Sequence, residues 1–156
     1  MDSYDEEILN LWKLLIQNEV KFIVVGGFAV NMHGISRFTA DLDLWIKDTP
    51  ENRKHLRNSL FQANMGDIEA IETTQFIPDW TSLNLPSGFE LDIMTFMKGF
   101  PQERFDDSYD HATVADVHGV PVRFFHINQL IEAKKAVARP QDILDAAALK
   151  KITKAH

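Results

Sequence analysis

The sequence predicts an α/β protein built on a mixed, twisted sheet of about five strands with flanking helices. Three observations predict it. Short apolar runs bounded by glycine and polar links recur near residues 22–25, 41–46, 80–94 and 114–124, as strands with one or both faces buried require. Stretches with apolar residues at helical spacing open and close the chain. No internal repeat, low-complexity tract or linker divides the 156 residues, so a single domain, 1–156, is expected, long enough to bury a core without staples.

Residues 3–18 read as an amphipathic helix. Ser3 and Glu6 stand at capping-box spacing, and Ile8, Leu11, Trp12 and Leu15 recur on one side, which makes Trp12 a core residue. Phe22, Ile23, Val24 and Val25 form a strand that stops at Gly26 and Gly27. A short helix follows and breaks at Gly34. Beyond a polar link carrying Arg37 and Thr39, a second strand begins that contains Asp41 and Asp43. Asp48-Thr49-Pro50 opens the next helix, with proline at its tolerated first position. That helix, to about residue 64, sets Leu56, Leu60 and Phe61 on one side and Arg53, Lys54 and Arg57 on another, the latter expected as a solvated face.

Residues 65–79 show no clear period. Residues 80–85 and 89–94 alternate about Pro86-Ser87-Gly88, a hairpin signal whose second strand places Glu90 and Asp92 on one face and Phe89, Leu91 and Ile93 on the other. Residues 99–110 read as loop with a helical turn. Residues 114–117 and 120–124 flank His118-Gly119 as a second hairpin. Two helices, about 127–138 and 140–152, close the chain and are separated at Arg139-Pro140.

The chemistry centres on the aspartates. Side chains alternate along a strand, so Asp41 and Asp43 share a face while Leu42 and Leu44 point into the core. Two such carboxylates repel unless a cation lies between them, and Mg²⁺ is commonly held by one or two carboxylates plus substrate phosphates. Backbone N–H groups at a glycine turn opening a helix make an anion site. Taken alone, Asp-x-Asp equally describes a solvated strand edge and Gly-Gly a plain turn. Their order, with Arg37 and Thr39 just ahead of the pair, is what specifies a phosphoryl-transfer site.

Gly26-Gly27 followed by Arg37-Phe38-Thr39-Ala40-Asp41-Leu42-Asp43-Leu44 resembles the signature of the nucleotidyltransferase superfamily, with the DNA polymerase β-like fold. The likeness is to its small bacterial members: the minimal nucleotidyltransferases of toxin–antitoxin and abortive-infection systems, and the aminoglycoside and lincosamide nucleotidylyltransferases. It covers the first hundred residues and, more loosely, the last thirty. Two departures stand out. Many members carry Gly-Ser at the turn, where Gly26-Gly27 lacks the hydroxyl. The antibiotic-modifying enzymes often read Gly-Gly-Trp-x-x-Asp, where this chain has Asn31 at the acid's place.

The resemblance implies transfer of a nucleoside monophosphate from an NTP to an acceptor hydroxyl of a small molecule, a protein or a tRNA end. It implies two Mg²⁺ ions on Asp41, Asp43 and a third carboxylate, Asp92, which also takes the acceptor's proton; Glu90 is the weaker candidate on the same face. Gly26, Gly27, Arg37 and Thr39 would contact the nucleotide. Lys134 falls on the apolar stripe of its helix with Ile127, Leu130, Ile131 and Ala138, where a lysine either snorkels to solvent or serves an anion. By resemblance to a Lys…Arg-Pro-x-Asp motif, Lys134 would reach the phosphates and Asp142 would brace it; an acid in the first turn after Pro140 also simply favours the helix dipole. A non-catalytic module of the same fold, binding nucleotide or a partner as one half of a toxin–antitoxin pair, remains the alternative.

Composition sets the remaining bounds. The absence of cysteine excludes disulfides and thiolate metal sites, and the histidines have no metal-ligand spacing. No Gly-x-Gly-x-x-Gly, Walker lysine or nucleophile elbow is present. The net charge of −7 argues against broad nucleic-acid binding and weakens a polymerase reading. No signal peptide or membrane-spanning run is evident, so a cytoplasmic protein is expected. The chain leaves little room for a substrate domain, so a homodimer or a small helical protein partner is expected to complete the acceptor pocket.

Overall fold

The computed structural model describes residues 3–155, with side chains from 5 to 154. Unbroken apolar sequence decides the centre of the sheet. β1 (Phe22–Val25) is buried at all four positions, and β2 (Asp41–Ile46) at Leu42, Leu44, Trp45 and Ile46. Strands covered on both faces read this way. β1 and β2 are antiparallel, with Val25 opposite Asp43. β4 (Glu90–Met94) lies parallel to β2 on its other side, and β3 (Ser82–Asn84) pairs antiparallel with β4 at the edge. On the opposite flank β6 (Val120–Phe124) is parallel to β1, and β5 (Thr113–Val117) is its antiparallel hairpin partner. The sheet is mixed, as expected, and has six strands in the order β3-β4-β2-β1-β6-β5. The count exceeds the expected five, and each strand falls in one of the apolar runs read from the sequence, the 80–85 run being shortened to the three-residue β3.

Helices cover the sheet where their apolar stripes dictate. α1 (Ser3–Gln17) buries Ile8, Leu11, Trp12 and Leu15, and Trp12 meets Phe28 and Phe124 edge-on at 6.2 and 5.8 Å. The cap expected at Ser3 lies outside the described side chains. The Trp45 ring packs edge-on against Phe100, Phe105 and Phe125, and its Nε1 donates to the Thr95 carbonyl at 2.8 Å. α3 (Pro50–Gln62) starts as its sequence dictates, with Thr49 accepting from the Asn52 amide and Pro50 in the first turn. Buried Asn52 accepts from the Lys21 amide and donates to the carbonyls of Lys21 and Lys47, so it ties the start of β1 to the end of β2.

Three expectations need correction. Phe61 is 57% exposed, off the buried stripe of Leu56 and Leu60. Arg53 and Arg57 are not a solvated face. Arg53 pairs with Asp48 at 2.7 Å and donates to the carbonyls of Ile71 and Thr74 at 3.0 and 2.7 Å, while Arg57 bridges Asp67 and Glu72, both at 2.6 Å. They clamp the irregular segment 65–79, which contains one 3₁₀ turn, Glu69–Glu72. Residues 99–110 hold more helix than one turn, because α4 (Phe105–His111) anchors itself through buried Phe105 and Ser108. α5 (Ile127–Val137) and α6 (Pro140–Ala155) follow, separated by Ala138 in the left-handed region. Among the described residues no helix is long and apolar enough to cross a membrane.

The clamp predicts a result. Arg53→Met removes two hydrogen bonds to buried-side carbonyls and an ion pair, each of the order of 1 kcal/mol. It is expected to lower stability by about 1–3 kcal/mol and to accelerate protease cleavage within residues 65–79. Unchanged cleavage there would show that the segment is held by something else.

Candidate active site

The site forms where β1 ends and the acid-bearing rungs of β2 and β4 meet it. Strand register sets Asp41 beside Glu90 and Asp43 beside Asp92, with Val25, the last residue before the diglycine turn, on the other side of Asp43. Asp41, Asp43 and Asp92 are therefore neighbours through strand pairing alone. Asp92 is buried, at 3% exposure, and is not a surface hairpin acid.

The glycines are explained by what they face. Gly26 has φ +69°, and a Cβ placed on it would lie 2.1 Å from Asp43 Oδ2. Only glycine tolerates both the conformation and the approach. A Cβ on Gly27 would lie 2.9 Å from Thr39 Oγ1. Thr39 in turn donates to the Asp41 carbonyl at 2.8 Å, so it fixes the entry to β2 against the turn. α2 (Gly26–Met32) begins at these glycines, and no side chain caps its N-terminus. The first amides of a helix lack intrahelical acceptors, which leaves donors at the turn. His33 ends α2 and bonds the Phe125 carbonyl through Nε2 at 2.7 Å, a structural role.

Electrostatics mark the same place. Burial, then Asp41, Asp92, Asp79 and Glu90, push the Asp43 carboxyl up to about 8. Burial also pushes Asp92 up to about 6; the Asp79 amide opposes this, and Asp79, Asp41 and Glu90 add to it. Asp41 is raised by burial and by Glu90 and Asp79. Among the described residues the leading influences on these three carboxyls are burial and other acids, with no Lys or Arg among them. Asp92 Oδ2 accepts from the Asp79 amide at 3.2 Å, while Asp92 Oδ1 is buried with no hydrogen-bond partner. A buried orphan oxygen is costly and calls for a ligand.

These features fit a divalent cation. Among the described residues no group of three or more His, Cys, Asp or Glu side chains is gathered so as to hold a metal ion by itself. Mg²⁺ is usually held by one or two carboxylates, with water and phosphate oxygens completing its shell.

Lys134 and Asp142 belong to a separate ion-pair network. The Lys134 ammonium lies 3.5 Å from Asp142 Oδ1 and 3.0 Å from Asp145 Oδ2. Arg37 pairs with Asp145, and Arg139 with Asp142 at 2.7 Å. Arg139 holds Asp142 below the usual carboxylate range, helped by Lys134. At Asp145 burial works the other way, but Gln141, Lys134 and Arg37 outweigh it and the carboxyl is lowered. Asp142 braces Lys134, whose ammonium is engaged by two carboxylates. The network touches the rungs electrostatically through Arg139, which feels Asp79.

Two residues escape the sequence reading. Asp79 joins the acid cluster through its charge and holds Asp92 through its amide, from a backbone with φ 67°. The one signal for it is Pro78-Asp79, since Asp is enriched among residues with positive φ. Asp145 lies one helical turn beyond Gln141, whose amide it accepts at 2.9 Å, and i, i+4 spacing was its signal.

No family model and no curated protein matches the chain. Solved structures do. A nucleotidyltransferase candidate from Thermotoga maritima superposes with TM-score 0.59 at 12% identity, over 98% of this chain and 94% of that one. An antigenic nucleotidyltransferase-like protein from Paracoccidioides brasiliensis gives 0.54 at 16%, over 96% and 77%. The antibiotic-resistance factor ANT(2'')-Ia gives 0.56 at 14%, over 99% and 96%. The mixed sheet, its strand-end acids and these superpositions together establish that this chain has the nucleotidyltransferase fold.

Proposed function

We propose that the protein transfers a nucleoside monophosphate from an NTP to an acceptor hydroxyl. The observation that carries this reading is the Gly26–Asp43 contact: a diglycine turn pressed against a half-buried carboxylate that shares its rung with Asp92. Asp41, Asp43 and Asp92 would hold Mg²⁺, two ions by the fold's usual chemistry. When bound, the metal lowers the charge on the triphosphate and the pKa of the attacking hydroxyl. The chain's own residues do the rest. Gly26 and Gly27 offer backbone donors to phosphate oxygens, and Thr39 keeps that turn seated. Asp92, held by the Asp79 amide, accepts the acceptor's proton. The acceptor oxygen bonds to the α-phosphorus, the phosphoanhydride bond from that phosphorus to the α–β bridging oxygen breaks, and pyrophosphate leaves with that oxygen.

Arg37 and Lys134, both paired with Asp145, and Asp142 beyond them would meet the nucleotide if the ion pairs open. A second subunit or small helical partner would complete the acceptor side, and a cytoplasmic protein is the expected setting. The competing reading, a module that binds nucleotide or a partner without turnover, draws on the absence of a closed ligand set among the described residues. The two separate cleanly. With Mg²⁺, α-labelled NTPs and a panel of small-molecule, protein and tRNA acceptors, wild type is expected to transfer label, and Asp41→Ala with Asp43→Ala to lose about 10³-fold or more. Transfer that survives the double substitution would sink the mechanism, and tight NTP binding without any transfer would favour the non-catalytic module.

A further inference from the structure

Arginine pairing singles out a second place in the molecule. Arg37, Arg53, Arg57, Arg104 and Arg139 each have a carboxylate partner, whereas Arg123 has none among the described residues. The half-buried Arg123 guanidinium lies over the Tyr109 ring, 4.1 Å from its centroid, and Nη1 donates to the Tyr109 carbonyl at 3.1 Å. Those contacts fix the plane of the fork and leave Nε and Nη2 uncommitted. The Lys21 ammonium lies 5.8 Å from the same ring and also has no carboxylate partner among the described residues.

Both cations line a cavity of about 590 Å³ together with Lys47, Thr49 and Asn52. Lys47 is shared with Asp106 at 3.0 Å. Glu19 and Glu51 also line it, and neither comes within ion-pair distance of Arg123 or Lys21. The cavity opens at the start of β1 and the end of β2, the end of those strands opposite the acid rungs. It is therefore separate from the candidate active site.

A partly desolvated guanidinium is unfavourable without an anion, and a fixed fork is the arrangement that recognises an oxyanion in bidentate fashion. The geometry points to a phosphate-binding site in this cavity, for inorganic phosphate or a small phosphomonoester. Arg123 and Lys21 supply two uncommitted positive charges, which match a phosphomonoester's charge of about −1.5 to −2 at neutral pH.

The test is a residue-resolved amide and arginine side-chain NMR titration without divalent cations, using inorganic phosphate, phenyl phosphate and, as comparator, acetate. Shifts are expected at Lys21, Lys47, Asn52 and the Arg123 Nε–H. Affinity is expected to fall about tenfold or more in Arg123→Gln and several-fold in Lys21→Gln, an exposed position that leaves folding intact. Tighter binding of phenyl phosphate assigns a phosphomonoester, and equal binding assigns free phosphate. The site is overturned if shifts are confined to the diglycine turn, if acetate binds as tightly, or if neither substitution weakens binding.

Discussion

Asp43→Asn is expected to abolish nucleotide transfer while making the metal-free protein more stable in mild alkali. Asp43 sits against the Gly26 backbone among four other acids, and burial with those neighbours pushes its carboxyl up to about 8. The folded pKa lies above the unfolded value, so the native state holds a proton that the unfolded chain has already released. The stabilisation this gives is complete below about pH 4 and is lost as pH rises through about 8. Asparagine keeps the shape and carries no charge. In the presence of EDTA, urea denaturation is expected to show the variant more stable than wild type by about 1–3 kcal/mol at pH 9, a figure reduced for partial solvent screening, with little difference at pH 5. Lost activity with gained stability marks a residue kept for chemistry. A variant less stable than wild type at pH 9 would mean that Asp43 is structural.

Gly26→Ala is expected to cost about 2–4 kcal/mol and to remove activity with it. The methyl group would meet Asp43 Oδ2 at 2.1 Å, and the backbone would have to hold φ +69° with a side chain attached. Gly88→Ala supplies the comparison. Gly88 has φ +96° but nothing within 4 Å of its added Cβ, so it carries only the backbone term, of the order of 1 kcal/mol. Equal costs at the two positions would show that the approach to Asp43 contributes nothing.

Much of the arrangement was legible where local sequence dictates it. Phe22, Ile23, Val24 and Val25 ending at two glycines, and Asp41 and Asp43 alternating with Leu42 and Leu44, defined both central strands and the acid face before any contact was known. Asp92 was legible from alternation, but its burial was not, because β3 and the 76–79 stretch cover it from outside its own strand. Segment 65–79 has no period of its own. Arg53 and Arg57 hold it from a distant helix, and such long-range ion pairs leave no trace in local pattern. Asp79 left only the faint mark of Pro78-Asp79, since its backbone amide does the holding. Lys134 stood out by its stripe, yet pattern alone did not reveal that Asp142 and Asp145 both engage its ammonium. The 80–85 run was legible as a strand by its alternation, and only three of its residues, Ser82–Asn84, pair.

The account rests on a cation and a nucleotide meeting at the Asp41, Asp43 and Asp92 rungs beside Gly26 and Gly27. Paramagnetic broadening by Mn²⁺, recorded residue by residue with a non-hydrolysable NTP, tests that meeting directly and needs no knowledge of the acceptor. The account predicts that the first amide signals to vanish are those of residues 26–27, 41–43, 79 and 92, and that Asp43→Asn abolishes the effect. Broadening centred elsewhere, or a nucleotide that binds without bringing the metal to those rungs, would contradict it.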